Sequence, residues 1–420
     1  MTTRMTVNHD RVFVRRRRVA LVGLLSLVAV TGFGATHLLG GDPGQPSAAA
    51  QTPPPSAKPT VRAPLKAAPT PSPTVKQGAV VPSAQSSLVR IERLTGGLTP
   101  KSVVAGPTGE VFAQNMMYTH TVAAYNAAGA LLATIKDGVD LAAYGVAGHP
   151  GTSRGAPVEA AFSPNGKTAW VSNYAMYGTG FSPEGTDACT SAKGISPSYV
   201  YKIDTTTFAV TKVVRAGAVP KYVAVTPNGK QVLVTNWCSM DLTVIDARTA
   251  KVTATIPIPG AHPRGIAVSP DSRTAYVAVM GSGVVVSVDL ATKKVTTLAK
   301  TGDGPRHLVL SKDGSILYVS NNGSGTVSEV NVATKQVLGT LKVGREPRSM
   351  ALSSDGGALY VVSYDDAKLV KIRTSDFSVI QSVPTDGYPV GVTYEPTLKR
   401  VWVACYGGSI LVFDDSRAAA

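Results

Sequence analysis

The sequence predicts an all-β chain whose bulk is a seven-bladed β-propeller of four-stranded antiparallel blades. Three observations carry this. Proline recurs at a fixed interval: Pro263, Pro305, Pro347 and Pro389 lie 42 residues apart, and Pro220 lies 43 before Pro263. Between two such prolines the chain reads as four short apolar runs separated by turn residues, as in 261–302, AHPRGIAVSPDSRTAYVAVMGSGVVVSVDLATKKVTTLAKTG. The turn after the first run and the run that follows it can be found seven times. A period in the low forties with four strands per unit is the mark of a propeller blade.

The repeats do not start at once. Residues 1–18 are polar and basic and end in Arg15-Arg16-Arg17-Arg18, and residues 19–39 carry no charge. As a helix, that apolar run spans roughly 30 Å, one bilayer core. The positive-inside rule leaves the arginines in the cytoplasm and sends the rest out, giving a single-pass signal anchor in the cell membrane. The alternative is a cleaved signal peptide and secretion, with Ala48-Ala49-Ala50 as a small-residue site. Residues 40–85 are rich in Pro, Ala, Ser and Thr, with Pro53-Pro54-Pro55 as the stiffest point. Such a stretch cannot bury a core, and reads as a disordered linker reaching on the order of 100 Å.

Residues 86–420 are the propeller. The first-strand turns are Gly106-Pro107-Thr108-Gly109, Ser163-Pro164-Asn165-Gly166, Thr226-Pro227-Asn228-Gly229, Ser269-Pro270-Asp271-Ser272, Ser311-Lys312-Asp313-Gly314, Ser353-Ser354-Asp355-Gly356 and Glu395-Pro396-Thr397-Leu398. Proline presets φ, Asp or Asn caps the turn, and Gly takes the positive φ. The last blade lacks a fourth strand, and a spare strand, 88–94, precedes the first. Pairing the two closes the ring without leaving a long edge.

The Tyr-Val-Ser-Asn core at 318–321, with Ser-x-Asp-Gly before it and Val-x-x-Ala-Thr-Lys after it, resembles the YVTN (YncE-like, WD40-like) propeller repeat. The resemblance extends over about 86–420 and implies a fold more than a function. Propellers of this kind serve as surface proteins, as binding scaffolds and, in related groups, as enzymes.

Irregularity concentrates on one rim. Pro100 to Pro157 spans 57 residues and Pro157 to Pro220 spans 63, so two insertions, within 139–155 and 174–198, break the period. Both follow a second strand or a blade end, which places them on one face, and a regular scaffold with irregular loops on one face binds through it. The residue after each entry proline is Lys101, Val158, Lys221, Arg264, Arg306, Arg348 or Val390. Five cations at the channel mouth suggest an anion site. The same position could equally be repeat architecture. Trp237, Tyr174, Tyr177, His262, His307 and Tyr388 lie at comparable positions and complete the candidate ligand surface. Asn115, Asn173, Asn236 and Asn321, at second-strand ends, read as turn caps.

Cys189 and Cys238 fall on the same rim in adjacent blades, and export permits a disulfide between them. Cys405 is left over, on a second strand. No zinc spacing, calcium loop or nucleophile elbow occurs, so no cofactor, metal or catalytic residue is expected. Propeller lactonases and streptogramin-lyase-like proteins keep a hydrolase or lyase at the same mouth as the alternative to a binding module. A structural surface protein without a small ligand is a further alternative. The basic arm has six Arg against one Asp and the linker four Lys/Arg against one Asp, which leaves the propeller with +7 of the net +15. That bias fits an anionic cell-wall polymer or a surface protein as partner of a monomeric propeller. Nucleic acid fits the charge but has no motif to support it.

Overall fold

The computed structural model describes residues 81–419. The expected basic arm, membrane-spanning run and most of the linker lie outside the described residues. Among the described residues no helix is long and apolar enough to cross a membrane.

Seven antiparallel sheets follow one another along the chain. Blade 1 runs from Ser102–Ala105 to Leu131–Lys136, blade 2 from Thr152–Phe162 to Val210–Arg215, and blade 3 from Pro220–Val225 to Lys251–Pro257. Blades 4, 5 and 6 begin at Pro263–Val268, Pro305–Leu310 and Pro347–Leu352. Blade 7 comprises Pro389–Glu395, Arg400–Cys405, Ser409–Ala418 and, from the other end of the chain, Ser86–Leu94. The first and last strands of the propeller pair antiparallel, from Leu94 opposite Ile410 to Ser86 opposite Ala418. Closure by an N-terminal strand is therefore as the sequence indicates, with the last strand running further into the C-terminal tail.

The turns are built as their residues dictate. Ser269 Oγ donates to Asp271 Oδ1 at 2.6 Å and accepts from the Thr274 amide at 2.9 Å. The same triangle recurs at Ser311, Asp313 and Ile316. Hydrogen bonds from Ser311 and Ser315 hold the Asp313 carboxyl down at about 2. In blade 7 a glutamate replaces the motif, and Glu395 accepts from the Thr397 and Leu398 amides. Asn236 and Asn321, fully buried, donate to the hydroxyls of Thr243 and Ser328 on the neighbouring strand, so they tie strands together where the sequence suggested turn caps.

One polar network locks the seam. Lys371, in blade 6, is fully buried with Asp415 of the last strand, and Nζ donates to Asp415 Oδ1 at 2.6 Å, to Ser86 O at 2.7 Å and to Ser86 Oγ at 2.9 Å. The Tyr360 hydroxyl donates to the same carboxylate. Gln381 pairs with both backbone groups of Leu88. The first and last strands of the propeller are thus tied to blade 6 as well as to each other.

Lys371→Met leaves Asp415 buried without its cation and is expected to cost about 3–5 kcal/mol in denaturant unfolding. Pairing it with Asp415→Leu should restore much of that loss, because a desolvated pair is replaced by apolar packing.

Candidate functional site

The cations reach the channel because of a repeated backbone irregularity. In blades 2 to 7 the ladder between the first two strands slips just after the entry proline, for example between Pro220 and Tyr222, Pro305 and His307, and Pro347 and Met350. A bulge leaves its residue out of the ladder and re-aims the side chain. Lys221, Arg264, Arg306 and Arg348 occupy these bulges, and Lys101 stands just before the unbulged first strand of blade 1. The residue before the proline is left-handed in blades 3 to 7: Val219, His262, Gly304, Glu346 and Tyr388 have φ of 59°, 65°, 65°, 50° and 63°. Four of these are not glycine, and each such residue costs on the order of 1–3 kcal/mol, which the surrounding repeat must absorb. Deeper in, the innermost strands approach closely: a Cβ on Gly265 would lie 2.7 Å from Arg306 O.

The five cations line one central cavity of about 420 Å³ together with Glu159, Tyr222 and His307. Two are paired. Lys221 contacts the Asp187 carboxylate, and Arg348 Nη2 donates to Glu346 Oε2 at 2.7 Å. Lys101, Arg264 and Arg306 have no side-chain hydrogen bond or ion pair among the described residues. Aromatic faces receive several of them: Lys221 Nζ lies 4.3 Å from the Tyr174 ring centre and 4.9 Å from that of Trp237, and Arg348 Cζ 3.4 Å from that of Tyr364. Arg264 lies 5.9 Å from Trp237, and Lys101 5.4 Å from Tyr406.

Burial and mutual repulsion work against these charges. Burial, then Arg306, Arg264, Arg348 and Lys221, push the Lys101 ammonium well below its ordinary value. Burial pulls Lys221 down to about 8 despite Asp187, and Arg264 down to about 10. Arg306 is pressed down by burial and by Arg264 and Arg348. Arginine does not give up its proton in proteins, so the stress becomes a demand for counter-anions. Three carboxylates answer it in part. Burial raises Glu159 to about 7, against the pull of the Ala160 amide, Ser102, Arg264 and Lys101. Lys221, Lys101 and Arg264 hold the carboxyl of Asp187, which stands at the solvent boundary, well below the carboxylate range. Glu346 is the third.

Below the cations a neutral pair crosses the channel. The Met350 amide donates to His307 Nδ1 at 3.3 Å, so Nε2 carries the proton and donates to the Tyr222 hydroxyl at 2.9 Å. Burial, with Arg264 and Arg306, lowers His307 to about 3, and it stays uncharged at neutral pH.

The two insertions stand over this mouth. The first two strands of blade 2 continue past the rim, Arg154 opposite Tyr177, and Gly138–Asp140 adds a fifth strand beside Thr152 to Arg154. His149 of the first insertion stacks on Phe181 of the second, ring centres 3.9 Å apart. Cys189 and Cys238 are bridged, Cα atoms 5.7 Å apart. Cys405 is buried and free, its thiol pushed up to about 12 by burial. Among the described residues no group of three or more His, Cys, Asp or Glu is arranged to hold a metal.

The candidate residues divide accordingly. Lys101, Lys221, Arg264, Arg306, Arg348 and His307 converge on the cavity. Trp237, Tyr174 and His262 sit above it, engaged with the second insertion: Trp237 stacks on His262 at 4.3 Å. Tyr388 packs 5.1 Å from Tyr364 at the rim. Tyr177 stands apart, its hydroxyl on Glu184 and its ring 5.3 Å from His120. Glu159, Tyr222 and Glu346 occupy repeat positions beside the entry proline, and their variation from blade to blade marks them in the sequence as residues that set specificity. Sequence reasoning left Asp187 out of the candidate site. Asp187 lies in an insertion that no repeat aligns.

Residues 190–342 match the family model described as Lactonase, 7-bladed beta-propeller. The matched span runs from the last two strands of blade 2 through blade 5. The match takes in Cys238 of the bridge and the cations of these blades, but less than half the chain. A chain of the Kuenenia stuttgartiensis hydrazine synthase is similar in fold, with a TM-score of 0.59 and 17% identity, over 76% of this chain and 96% of that one. No curated protein matches the chain.

Glu159 gives a stability signature. Its folded value, about 7, is above the ordinary 4.5, so the folded state holds its proton longer than the unfolded one. Its contribution is complete below about 4.5 and is lost as pH rises through about 7. Glu159→Gln should remove one fall in unfolding free energy with rising pH across that window, leaving the fall due to Asp137, which burial also raises to about 7, set against the rise due to His307, which burial lowers to about 3.

Proposed function

We propose that this protein is an exported, membrane-anchored binding module at the cell surface, whose propeller takes an anionic ligand at the insertion-bearing mouth. The observation that carries the reading is the cluster of Lys101, Arg264 and Arg306 around one cavity, Arg306 buried and the other two partly buried, without ion-pair partners among the described residues. A repeat that needed cations only for architecture would pair each with a neighbouring carboxylate or carbonyl, and three of five are not so paired. The cavity volume suits a small anion or the terminal group of an anionic wall polymer or surface protein. The long linker would carry the domain away from the membrane.

A second reading, a hydrolase of lactone type at the same mouth, is favoured by Glu159. A carboxyl raised to about 7 beside cations could take a proton from water while Arg264 stabilises negative charge developing on a carbonyl oxygen. The lactonase-like segment supports this reading through fold.

The deciding experiment is calorimetric titration of the chain with anions at two salt concentrations, beside a folded variant carrying Lys221→Ala, Arg264→Ala, Arg306→Ala and Arg348→Ala. Wild-type binding should weaken with salt, and the variant should lose on the order of a hundredfold or more in affinity. Equal binding by both would overturn the reading. Turnover of a lactone that disappears in Glu159→Gln, and otherwise rises as pH passes about 7, would move the assignment to the hydrolase.

A further inference from the structure

Residues 185–189 cross the mouth as a strap. Three alternate carbonyls are pinned by three blades. Gly185 O accepts from the Tyr174 hydroxyl of blade 2 at 3.0 Å, Asp187 O from Trp237 Nε1 of blade 3 at 3.3 Å, and Cys189 O from His262 Nε2 of blade 4 at 2.7 Å. The bridge from Cys189 to Cys238 adds a covalent tie. Gly185 is wedged in place, since a Cβ there would lie 2.7 Å from Val219 and 2.8 Å from Ile195. So held, the strap sets one carboxylate over the cations. The Asp187 side chain is 50% exposed and that of Lys221 only 3%, which puts the acid at the solvent boundary and the ammonium beneath it. Lys101, Arg264 and Arg306 act on the same carboxylate from around the mouth.

We propose that Asp187 determines which anions the mouth accepts: it is a tethered carboxylate occupying the place of a ligand's acidic group, and a ligand enters by displacing it from Lys221. This inference rests on the anion-binding reading above. A covalently attached competitor acts at a high effective concentration. An anion with one charge meets that competitor on nearly equal terms and is held off. An anion with two or more acidic groups engages Lys101, Arg264 and Arg306 together, which Asp187 alone cannot satisfy, and displaces it. The strap thereby turns a generally cationic mouth into one selective for multiply charged anions.

The test titrates the full-length, oxidised chain with acetate, malonate and citrate at constant ionic strength, beside Asp187→Asn, which keeps the side-chain volume and the three pinned carbonyls. Malonate affinity is expected to rise at least tenfold in the variant, and acetate affinity to rise by more, narrowing the preference for malonate and citrate. Unchanged or weaker binding by Asp187→Asn, with wild type still binding, overturns the inference and leaves the anion-binding reading standing. No binding of any probe by either protein overturns both. Should Asp187→Asn fail to fold, the same titration of wild type with the Cys189–Cys238 bridge reduced, its fold checked by circular dichroism, replaces it. Release of the strap must then raise affinity, and no rise counts against the proposal.

Discussion

Five cations converge on one channel mouth, and their mutual repulsion is the constraint to which much of the neighbouring structure answers. Each is placed there by the repeat, at the entry to an innermost strand, and four of the five sit on a bulge. A propeller brings equivalent positions of all its blades to one axis, so a charge written once per repeat is concentrated, not dispersed. Aromatic faces from Tyr174, Trp237, Tyr364 and Tyr406 soften the desolvation. Glu346 and Asp187 each neutralise one cation directly. Glu159 is set among the rest, its proton affinity raised by burial and lowered again by Arg264 and Lys101. With all three acids ionised, two positive charges remain in excess at the mouth.

The ring can hold such charges together only because it is closed firmly elsewhere. An open propeller would part at the seam between its first and last strands. Here the terminal strands pair over their length, and Lys371 links Ser86 of the first strand to Asp415 of the last from inside blade 6. Buried ion pairs of this kind add little net stability over apolar packing, but they specify one arrangement. Among the described residues Lys371 makes its one ion pair with Asp415, and that pair fixes the register of the closing strands.

The fold was legible because its signals are periodic. Prolines 42 residues apart, seven turns at one place in the repeat and a spare strand before the first blade leave few alternatives to a closed propeller. The cations were legible for the same reason, as a recurring position. What the sequence could not show is how these side chains partner. The pairing of Arg348 with Glu346 needs the left-handed turn at Glu346, and the contact of Lys221 with Asp187 needs the conformation of an insertion without periodicity. Trp237, Tyr174 and His262 were read as ligand surface, since aromatic groups beside cations suit a ligand. In the folded chain they donate hydrogen bonds to the strap. A disulfide between Cys189 and Cys238 followed from blade arithmetic alone, because the loops of adjacent blades on one rim are neighbours whatever their length.

The central claim is that the excess positive charge at the mouth is a ligand site. The most direct measurement is a crystal structure of the protein grown or soaked with selenate, whose anomalous scattering locates the anion. The account predicts a selenate peak within hydrogen-bond distance of Arg264 and Arg306, inside the channel mouth. Selenate ordered only on the outer surface, with the mouth cations paired to protein carboxylates, would contradict it.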